Sequence, residues 1–366
     1  PPEGHKWKEV VHIRDNWWIA SWKDDITGKT KYVWLADSSS YKSASDMHKF
    51  DLARKLNSRI SKIRKINNEN LNSKNAKIKE LATALYIIDK LALRIGNEKG
   101  KDAADTVGVS SLRVEHIDLL ENNKIKLDFL GKDSIRYVKK FTVSNEVYDN
   151  LKLFTSNKDK KDHLFYLASP ELINKYLQAF MKNLTSKVFR TFNASFLVQK
   201  ELDNIFYKFK NYNKNDKSQL IKNEINIANK KVALLCNHQK AVSKNFNEQL
   251  KKFDDRINEQ NNKKKKLKRE INNIRELNTK TSKKSIKTKN KRIGIINLKI
   301  KKFKILKESK VELKNVALGT SKINYIDPRI IVAFLKKNNM TIDTIFNTTL
   351  ANKFQWAMSV DKEWEF

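Results

Sequence analysis

The segment KIKELATALYIIDKLALRI (77–95) of this 366-residue chain is apolar on most of its faces. A helix that is apolar nearly all round needs neighbours on every side. The stretch therefore predicts a buried helix over 76–95, with the other elements packed around it. Gly96 follows directly and is interpreted as the residue that caps this helix.

Helical periodicity recurs on both sides of this central stretch. Apolar residues spaced three and four apart predict a helix over 45–66. The same spacing predicts later helices over 145–154, 170–183, 187–205, 217–237, a helix opened by Asp327-Pro328, and 343–358.

Strand patterns occur in two separate parts of the sequence. β-Branched and aromatic residues predict strands over 8–13, 16–22, 31–36, 111–119, 124–129 and 134–141. The segment LGKD (130–133) joins the last two as a tight hairpin connection. The predicted fold class is α+β, mainly α, with short strands at the N-terminus.

The composition indicates which kinds of partner and cofactor to expect. Lys and Arg number 76 against 41 Asp and Glu, which gives a net charge of +35 and favours a polyanionic partner. The sequence contains no run of about 18 apolar residues, which is the length that would indicate a membrane span. The single cysteine excludes a disulfide framework. Nucleotide-binding and metal-binding motifs are absent from the sequence, so neither an ATP nor a metal cofactor is expected.

A basic coiled coil is predicted over 241–312. This range holds 24 Lys and Arg against 8 Asp and Glu, a net charge of +16. Apolar residues recur at steps of three and four on both sides of the polar break NTKTSKKS (278–285), which is typical of two antiparallel helices. The expected domains are a core over 1–240, this linker, and a C-terminal domain over 313–366.

Five short segments carry a resemblance to a known family. They are LALRIGNEK (91–99), DFLGKDSIRY (128–137), SKVFRTFNAS (186–195), LLCNHQ (234–239) and LGTSKINYIDPR (318–329). In this order they resemble the signature segments of eukaryotic nuclear DNA topoisomerase I, a type IB family. The resemblance extends over nearly the whole chain and implies a catalytic core similar to that of tyrosine recombinases.

The resemblance implies a role for one residue in each segment. Tyr325 matches the nucleophile that forms a 3′-phosphotyrosyl bond with DNA. Arg94 and Arg190 match the arginines that hold the non-bridging phosphate oxygens, a task suited to the planar guanidinium. His238 matches a hydrogen-bond donor to the same phosphate, and Lys132 matches the acid that protonates the 5′-oxygen leaving group. Taken singly, each of these residues is more often structural than catalytic.

Further positions match less directly. Asp133 and Asn324 lie where camptothecin-type inhibitors intercalate in the family. Gly96 and Asn97 are expected to let the backbone approach the phosphate. Lys187 stands where related recombinases carry a histidine or lysine.

The expected function is ATP- and metal-independent relaxation of supercoiled duplex DNA by a monomeric enzyme of the nucleus, including the nucleolus. The chain begins Pro1-Pro2, and we expect a fragment that lacks the cap lobe of the family. Two alternatives stay open on the sequence. One is a tyrosine recombinase, and the other is a basic coiled-coil protein that binds nucleic acid without catalysis.

Overall fold

The computed structural model describes residues 3–13, 16–96, 104–212, 214–275 and 280–366. The helices are α1 Ser40–Leu71, α2 Ala76–Leu91, α3 Asn145–Thr155, α4 Pro170–Phe180, α5 Ser186–Phe209, α6 Lys217–Leu235, α7 Phe246–Arg275, α8 Lys280–Glu312, α9 Leu318–Asn324, α10 Pro328–Lys337 and α11 Thr348–Lys353. The strands are β1 Trp18–Lys23, β2 Thr30–Trp34, β3 Ile117–Leu120, β4 Lys124–Leu130 and β5 Arg136–Thr142. The predicted mainly helical α+β class is confirmed.

Helix α2 lies at the centre of the core, as its sequence predicts. Most of its residues from Glu80 to Leu91 are buried, and it packs against α1, α3, α4 and α5. The Asn75 side chain begins the helix by accepting hydrogen bonds from the backbone N–H groups of Lys77 and Ile78. Helix α1 is longer than the predicted 45–66, because the Ser39 hydroxyl caps it earlier by accepting from Lys42 N.

The predicted end of the central helix is wrong. Helix α2 stops at Leu91 because Ala92 takes a left-handed conformation with φ of 50°. Gly96 therefore caps no helix. The chain continues as an extended segment whose carbonyls, those of Arg94 and Ile95, accept the N–H groups of Val109 and Ser110 at 3.0 and 2.7 Å.

Gly96 and Gly108 allow two backbone segments to touch. Gly96 has φ of +88°, and a Cβ placed on it would lie 2.9 Å from Gly108 Cα. A Cβ on Gly108 would lie 2.3 Å from Gly96 N. Because both obstacles are backbone, neither glycine tolerates a side chain without displacing the extended segment.

We expect Gly108→Ala to lower the free energy of unfolding by at least about 2 kcal/mol, since the new methyl group must push the two segments apart. The matched control is Gly294→Ala in α8, where a Cβ meets nothing within 4 Å. That control should raise stability by up to about 1 kcal/mol. Urea unfolding of both variants measures the difference, and equal effects would contradict the close approach.

The residues that the structure describes form two antiparallel sheets. Strands β1 and β2 form a hairpin, and β3, β4 and β5 form a three-stranded meander in that order. Residues 8–13 were expected as a strand, but in the described structure they pair with no other segment and are exposed. The expected strand over 111–119 is limited to Ile117–Leu120. Before it the backbone makes short 3₁₀ turns, stabilised by a hydrogen bond from Arg113 N to His116 Nδ1.

The turn between β4 and β5 is exposed to solvent. Gly131 N donates to the carbonyl of Ile135 at 2.9 Å, and Lys132–Ser134 form one 3₁₀ turn. Asp133 has φ of 62° and Ser134 has φ of 55°, conformations that fold the chain back within a few residues. The connection is thus at the predicted place.

The C-terminal region differs from its prediction in one element. The helix expected over 343–358 is divided into two 3₁₀ turns and the short helix α11 between them. Asn347 begins α11 by accepting from Leu350 N at 3.0 Å, which starts a new helix in the middle of the expected one. Helix α10 begins as predicted, with Asp327 as the cap and Pro328 in the first turn.

Helices α7 and α8 are the two helices predicted for the basic segment, and they pack together along their length. At the base of these two helices, the backbone segment that leads into α7 is hydrogen-bonded to the segment that follows α8. Lys240 N donates to Asn315 O at 3.0 Å, and Ala317 N donates to His238 O at 2.9 Å. None of the helices in the described ranges is long and apolar enough to cross a membrane.

Candidate functional site

Three of the predicted residues meet in one cluster. The Tyr325 ring stacks on the His238 ring, with centroids 5.4 Å apart and planes inclined by 27°. The guanidinium carbon of Arg190 lies 4.9 Å from the centroid of the same tyrosine ring. Arg190 Nη2 is 3.4 Å from His238 Nε2, so the cluster is closed on all three sides. The cluster therefore places a phenol beside a guanidinium cation and an imidazole.

Arg190 lies in the first turns of α5 and is only 4% exposed. Its Nη1 donates to the carbonyl of Ala92 at 2.8 Å, and its Nη2 donates to the carbonyl of Cys236. The left-handed turn at Ala92 directs that carbonyl to the arginine, which explains why α2 ends there rather than at Gly96. Burial lowers the pKa of Arg190, and the neighbouring Cys236 and Tyr325 oppose this shift.

His238 is placed by the end of α6. Asn237 has φ of 54°, and His238 N donates to the carbonyl of Ala233 at 2.7 Å. This is the Schellman arrangement, with asparagine in the left-handed position. The turn buries the histidine ring, and its Nδ1 lies 2.8 Å from the hydroxyl of Ser321.

The environment keeps His238 neutral. Burial, followed by the charges of Arg190 and Arg94, lowers the pKa of His238 from 6.5 to about 4. At neutral pH the ring therefore carries one proton, and it can donate one hydrogen bond and accept another.

The depressed pKa of His238 predicts a pH-dependent stability. Between pH 6.5 and about 4 the unfolded chain binds a proton on this residue and the folded chain does not. Its contribution is therefore complete above pH 6.5 and is lost as the pH falls, by about 3 kcal/mol in total. We expect His238→Gln to flatten this part of the stability curve in urea unfolding. The exposed control His163→Gln should leave it steep, and equal curves would contradict the shift.

Tyr325 ends helix α9 and is held at its backbone. Its N–H donates to the carbonyl of Ser321 at 2.9 Å, and its carbonyl accepts the hydroxyl of Ser195 at 3.1 Å. The same Ser195 oxygen accepts from Asp327 N at 3.0 Å. Ser195 and Arg190 both belong to α5, so one helix positions the guanidinium and the tyrosine backbone.

A buried ion pair fixes the segment after the tyrosine. Arg329 Nη2 lies 2.8 Å from carboxylate oxygens of both Asp327 and Asp51, the latter on α1. The Arg329 guanidinium also lies 4.7 Å from the Trp364 ring centroid. These contacts anchor the C-terminal region to the core helices.

Arg94 and Lys132 differ in how close they lie to the cluster. Arg94 is half-buried, and its charge acts on the pKa of both His238 and Arg190, which places it close to them. Lys132 is exposed at the hairpin turn, and within the described ranges it forms no hydrogen bond or ion pair with the other four. One backbone segment connects the two residues. Its Val107 N donates to the carbonyl of Leu130, two residues before Lys132, at 2.8 Å, and its Val109 N donates to the carbonyl of Arg94.

The remaining predicted positions are mostly at the surface in the described structure. Asp133 and Lys187 are exposed, and Asn324 is exposed immediately before the tyrosine. Gly96 lies two residues after Arg94 at the glycine contact. Asn97 lies outside the described residues.

Two buried hydroxyl groups, those of Ser195 and Ser321, were missed as positioning residues. Both lie within the segments SKVFRTFNAS and LGTSKINYIDPR, but a serine in a sequence does not reveal which group its hydroxyl will bond to in the fold. Among the residues the structure describes, no group of three or more His, Cys, Asp or Glu side chains is arranged to hold a metal ion.

Comparison with known families and proteins agrees with the sequence pattern. Residues 38–271 match the family model of the eukaryotic DNA topoisomerase I catalytic core, and residues 297–366 match its C-terminal domain. Residues 1–35 match the model of its DNA binding fragment.

Individual relatives cover the chain fully but exceed it in length. The chain is 42% identical to DNA topoisomerase 1 of Caenorhabditis elegans, over 100% of the chain and 46% of that protein. It is 40% identical to DNA topoisomerase 1 of Homo sapiens, over 100% of the chain and 48% of that protein. For the Drosophila melanogaster protein the identity is 40%, over 99% of the chain and 36% of the relative. The chain thus spans about half or less of the length of these curated relatives.

Proposed function

The chain belongs to the eukaryotic DNA topoisomerase I family, and from this we propose that it is a type IB DNA topoisomerase. Its reaction is the transient cleavage of one strand of duplex DNA, followed by rejoining. The observation that carries the proposal is the enclosure of Tyr325 between Arg190 and His238.

The chemistry proposed for this cluster is phosphoryl transfer to a phenol. The Tyr325 oxygen attacks the DNA phosphorus and forms a P–O bond, while the bond to the 5′-oxygen breaks and that oxygen takes a proton. The phenol loses its own proton to water as its oxygen attacks the phosphorus. The additional negative charge of the transition state is stabilised by Arg190, Arg94 and the hydrogen bond from His238.

Lys132 is proposed as the acid for the leaving 5′-oxygen, and as the base when the strand is rejoined. Its exposed position in the turn between β4 and β5 supports this role, because an exposed side chain is able to enter a DNA groove. The phosphotyrosyl bond retains the energy of the broken phosphodiester, so rejoining requires no ATP.

The proposed partner is duplex DNA, contacted mainly at its phosphates. A net charge of +35 supports such binding and implies a steep dependence on salt. In the proposed organisation, 1–240 is the core, 241–312 is the linker and 313–366 carries the tyrosine. We further propose a monomeric nuclear enzyme, present also in the nucleolus, which binds camptothecin-type inhibitors near Asp133 and Asn324.

The proposal is tested by trapping the chain on DNA. The chain is incubated with supercoiled plasmid in chelator without ATP, the reaction is stopped with SDS, and covalent complexes and relaxed plasmid are separated on gels. A parallel reaction includes, as a separate polypeptide, the part of a relative that lies upstream of the region matched by this chain. Covalent attachment is expected at the 3′-phosphate. Its absence in both reactions, or attachment at the 5′-phosphate, would overturn the proposal, and synapsis of two duplexes would favour a recombinase.

A further inference from the structure

The contact between His238 and Ser321 has a direction that depends on which ring nitrogen of His238 carries the proton. Nδ1 of His238 and Oγ of Ser321 lie 2.8 Å apart, and either atom is able to donate the hydrogen. Ser321 is fully buried and His238 is 6% exposed, so water does not compete for either group. Within the described residues, the histidine nitrogen is the hydrogen-bond partner of the Ser321 hydroxyl.

Two arrangements of the protons are compatible with the distance. If Nδ1 carries the proton, Ser321 accepts it, and the hydroxyl hydrogen of Ser321 is buried without an acceptor. Such an unsatisfied donor is unfavourable in a protein interior. If Ser321 donates to Nδ1 instead, the hydroxyl and Nδ1 are both satisfied, and the single proton of the neutral ring lies on Nε2, where an acceptor from outside the cluster can take the hydrogen bond.

The contact between Arg190 and Nε2 does not reverse this choice. The Nη2 to Nε2 distance is 3.4 Å, which is long for a hydrogen bond. Arg190 already donates to the carbonyls of Ala92 and Cys236, so it loses little when Nε2 carries a proton.

We propose that Ser321 is a positioning residue that sets the tautomer of His238, so that Nε2 presents a hydrogen to the DNA phosphate. The structural half of this inference stands alone, and its catalytic half rests on the proposed function. With the proton on Nδ1, Nε2 would present a lone pair to an anionic oxygen and repel it. With the proton on Nε2, the ring donates without bearing a full charge, in agreement with the low pKa of His238.

Ser321 also connects this tautomer to the nucleophile. Its carbonyl accepts the backbone N–H groups of Tyr325 and Ile326 at 2.9 and 3.1 Å. A single residue of α9 therefore fixes the histidine ring through its side chain and the tyrosine through its backbone. Only the first of these contacts is removed by Ser321→Ala.

The tautomer is measured directly, without DNA, in long-range proton–nitrogen correlation spectra of protein labelled in its histidine rings. The His238 signals are assigned by their absence from the His238→Gln spectrum. At neutral pH the unaltered chain should show the Nε2–H form, and Ser321→Ala should show a mixture of both tautomers. A Nδ1–H form in the unaltered chain would overturn the proposal, whatever the variants do.

The catalytic half is tested by a double-mutant cycle on covalent complex formation. Ser321→Ala should slow cleavage by about tenfold, as expected when the partner that orients a histidine is lost. In a His238→Gln background the same change should have no further effect, since the histidine transmits it. An equal loss in both backgrounds would show a merely structural role.

The control for fold damage is Thr83→Ala. Thr83 is also fully buried, donates to Lys79 O and accepts from Asn150, but it lies on α2 away from the cluster. It should leave the cleavage rate unchanged. Failure of the proposed function would appear as no cleavage by any variant, and would leave the spectroscopic result intact.

Discussion

Tyr325→Phe is expected to abolish covalent attachment to DNA and supercoil relaxation, while DNA binding stays close to that of the unaltered chain. The phenol oxygen is the atom that forms the new bond to phosphorus, and phenylalanine retains everything except that atom. Loss of a nucleophile typically lowers the rate by roughly 10⁶-fold, which in a gel assay means no detectable product.

The variant should fold normally, because the contacts of the ring survive. Stacking on His238 and the approach of Arg190 both involve the ring face, which phenylalanine also offers. The backbone bonds to Ser195 and Ser321 are unaffected. Urea unfolding should therefore differ from that of the unaltered chain by less than about 1 kcal/mol.

A second tyrosine serves as the control for loss of a phenol oxygen. Tyr176 on α4 donates to Asn67 and accepts from Asn70, both of which belong to α1. Tyr176→Phe should lower stability somewhat and leave covalent attachment intact. Covalent capture of DNA by Tyr325→Phe, or its loss in Tyr176→Phe, would contradict the assignment of the nucleophile.

The existence of the central helix could be read from the sequence because it depends on a property of the segment alone. A stretch that is apolar nearly all round is buried whatever surrounds it. Its end could not be read in the same way. The left-handed turn at Ala92 directs a carbonyl to Arg190, which is 98 residues away in the chain. Local propensity favoured Gly96, and a distant contact determined the outcome.

The division of the C-terminal region was missed for a related reason. Apolar spacing over 343–358 continues through Asn347 without a break, so periodicity alone favours one helix. The asparagine side chain instead bonds to the backbone and begins a new helix. The choice depends on how the flanking residues pack, for example Phe346, which is 2% exposed.

For the site, the ordered motifs supplied the residue types and the fold supplied their arrangement. Tyr325, Arg190 and His238 come from segments far apart in the chain and meet because α5, α6 and α9 pack together. Ser195 and Ser321 could not be singled out, because a buried serine acquires its role from the group opposite. Lys132 is the reverse case, a residue singled out by its motif that stands apart from the cluster.

Lys132→Ala gives the sharpest test of how that separate lysine takes part. We expect cleavage to slow by about 10² to 10⁴-fold, because the 5′-oxygen must then leave without a proton from a general acid. DNA binding should weaken little, since one exposed charge among 76 Lys and Arg residues is removed. Single-turnover cleavage measures the rate, and filter binding at several salt concentrations measures the affinity.

The leaving group decides between an acid and a mere phosphate contact. In a DNA substrate with sulfur at the bridging 5′-position, the leaving group is a thiolate. A thiolate is far less basic than an alkoxide and needs no proton. This substrate should restore most of the rate to Lys132→Ala. Lys140→Ala, an exposed lysine on β5 of the same hairpin, removes the same charge and should show neither the defect nor the rescue. If sulfur fails to rescue Lys132→Ala, the lysine acts by binding phosphate and the proton comes from another group.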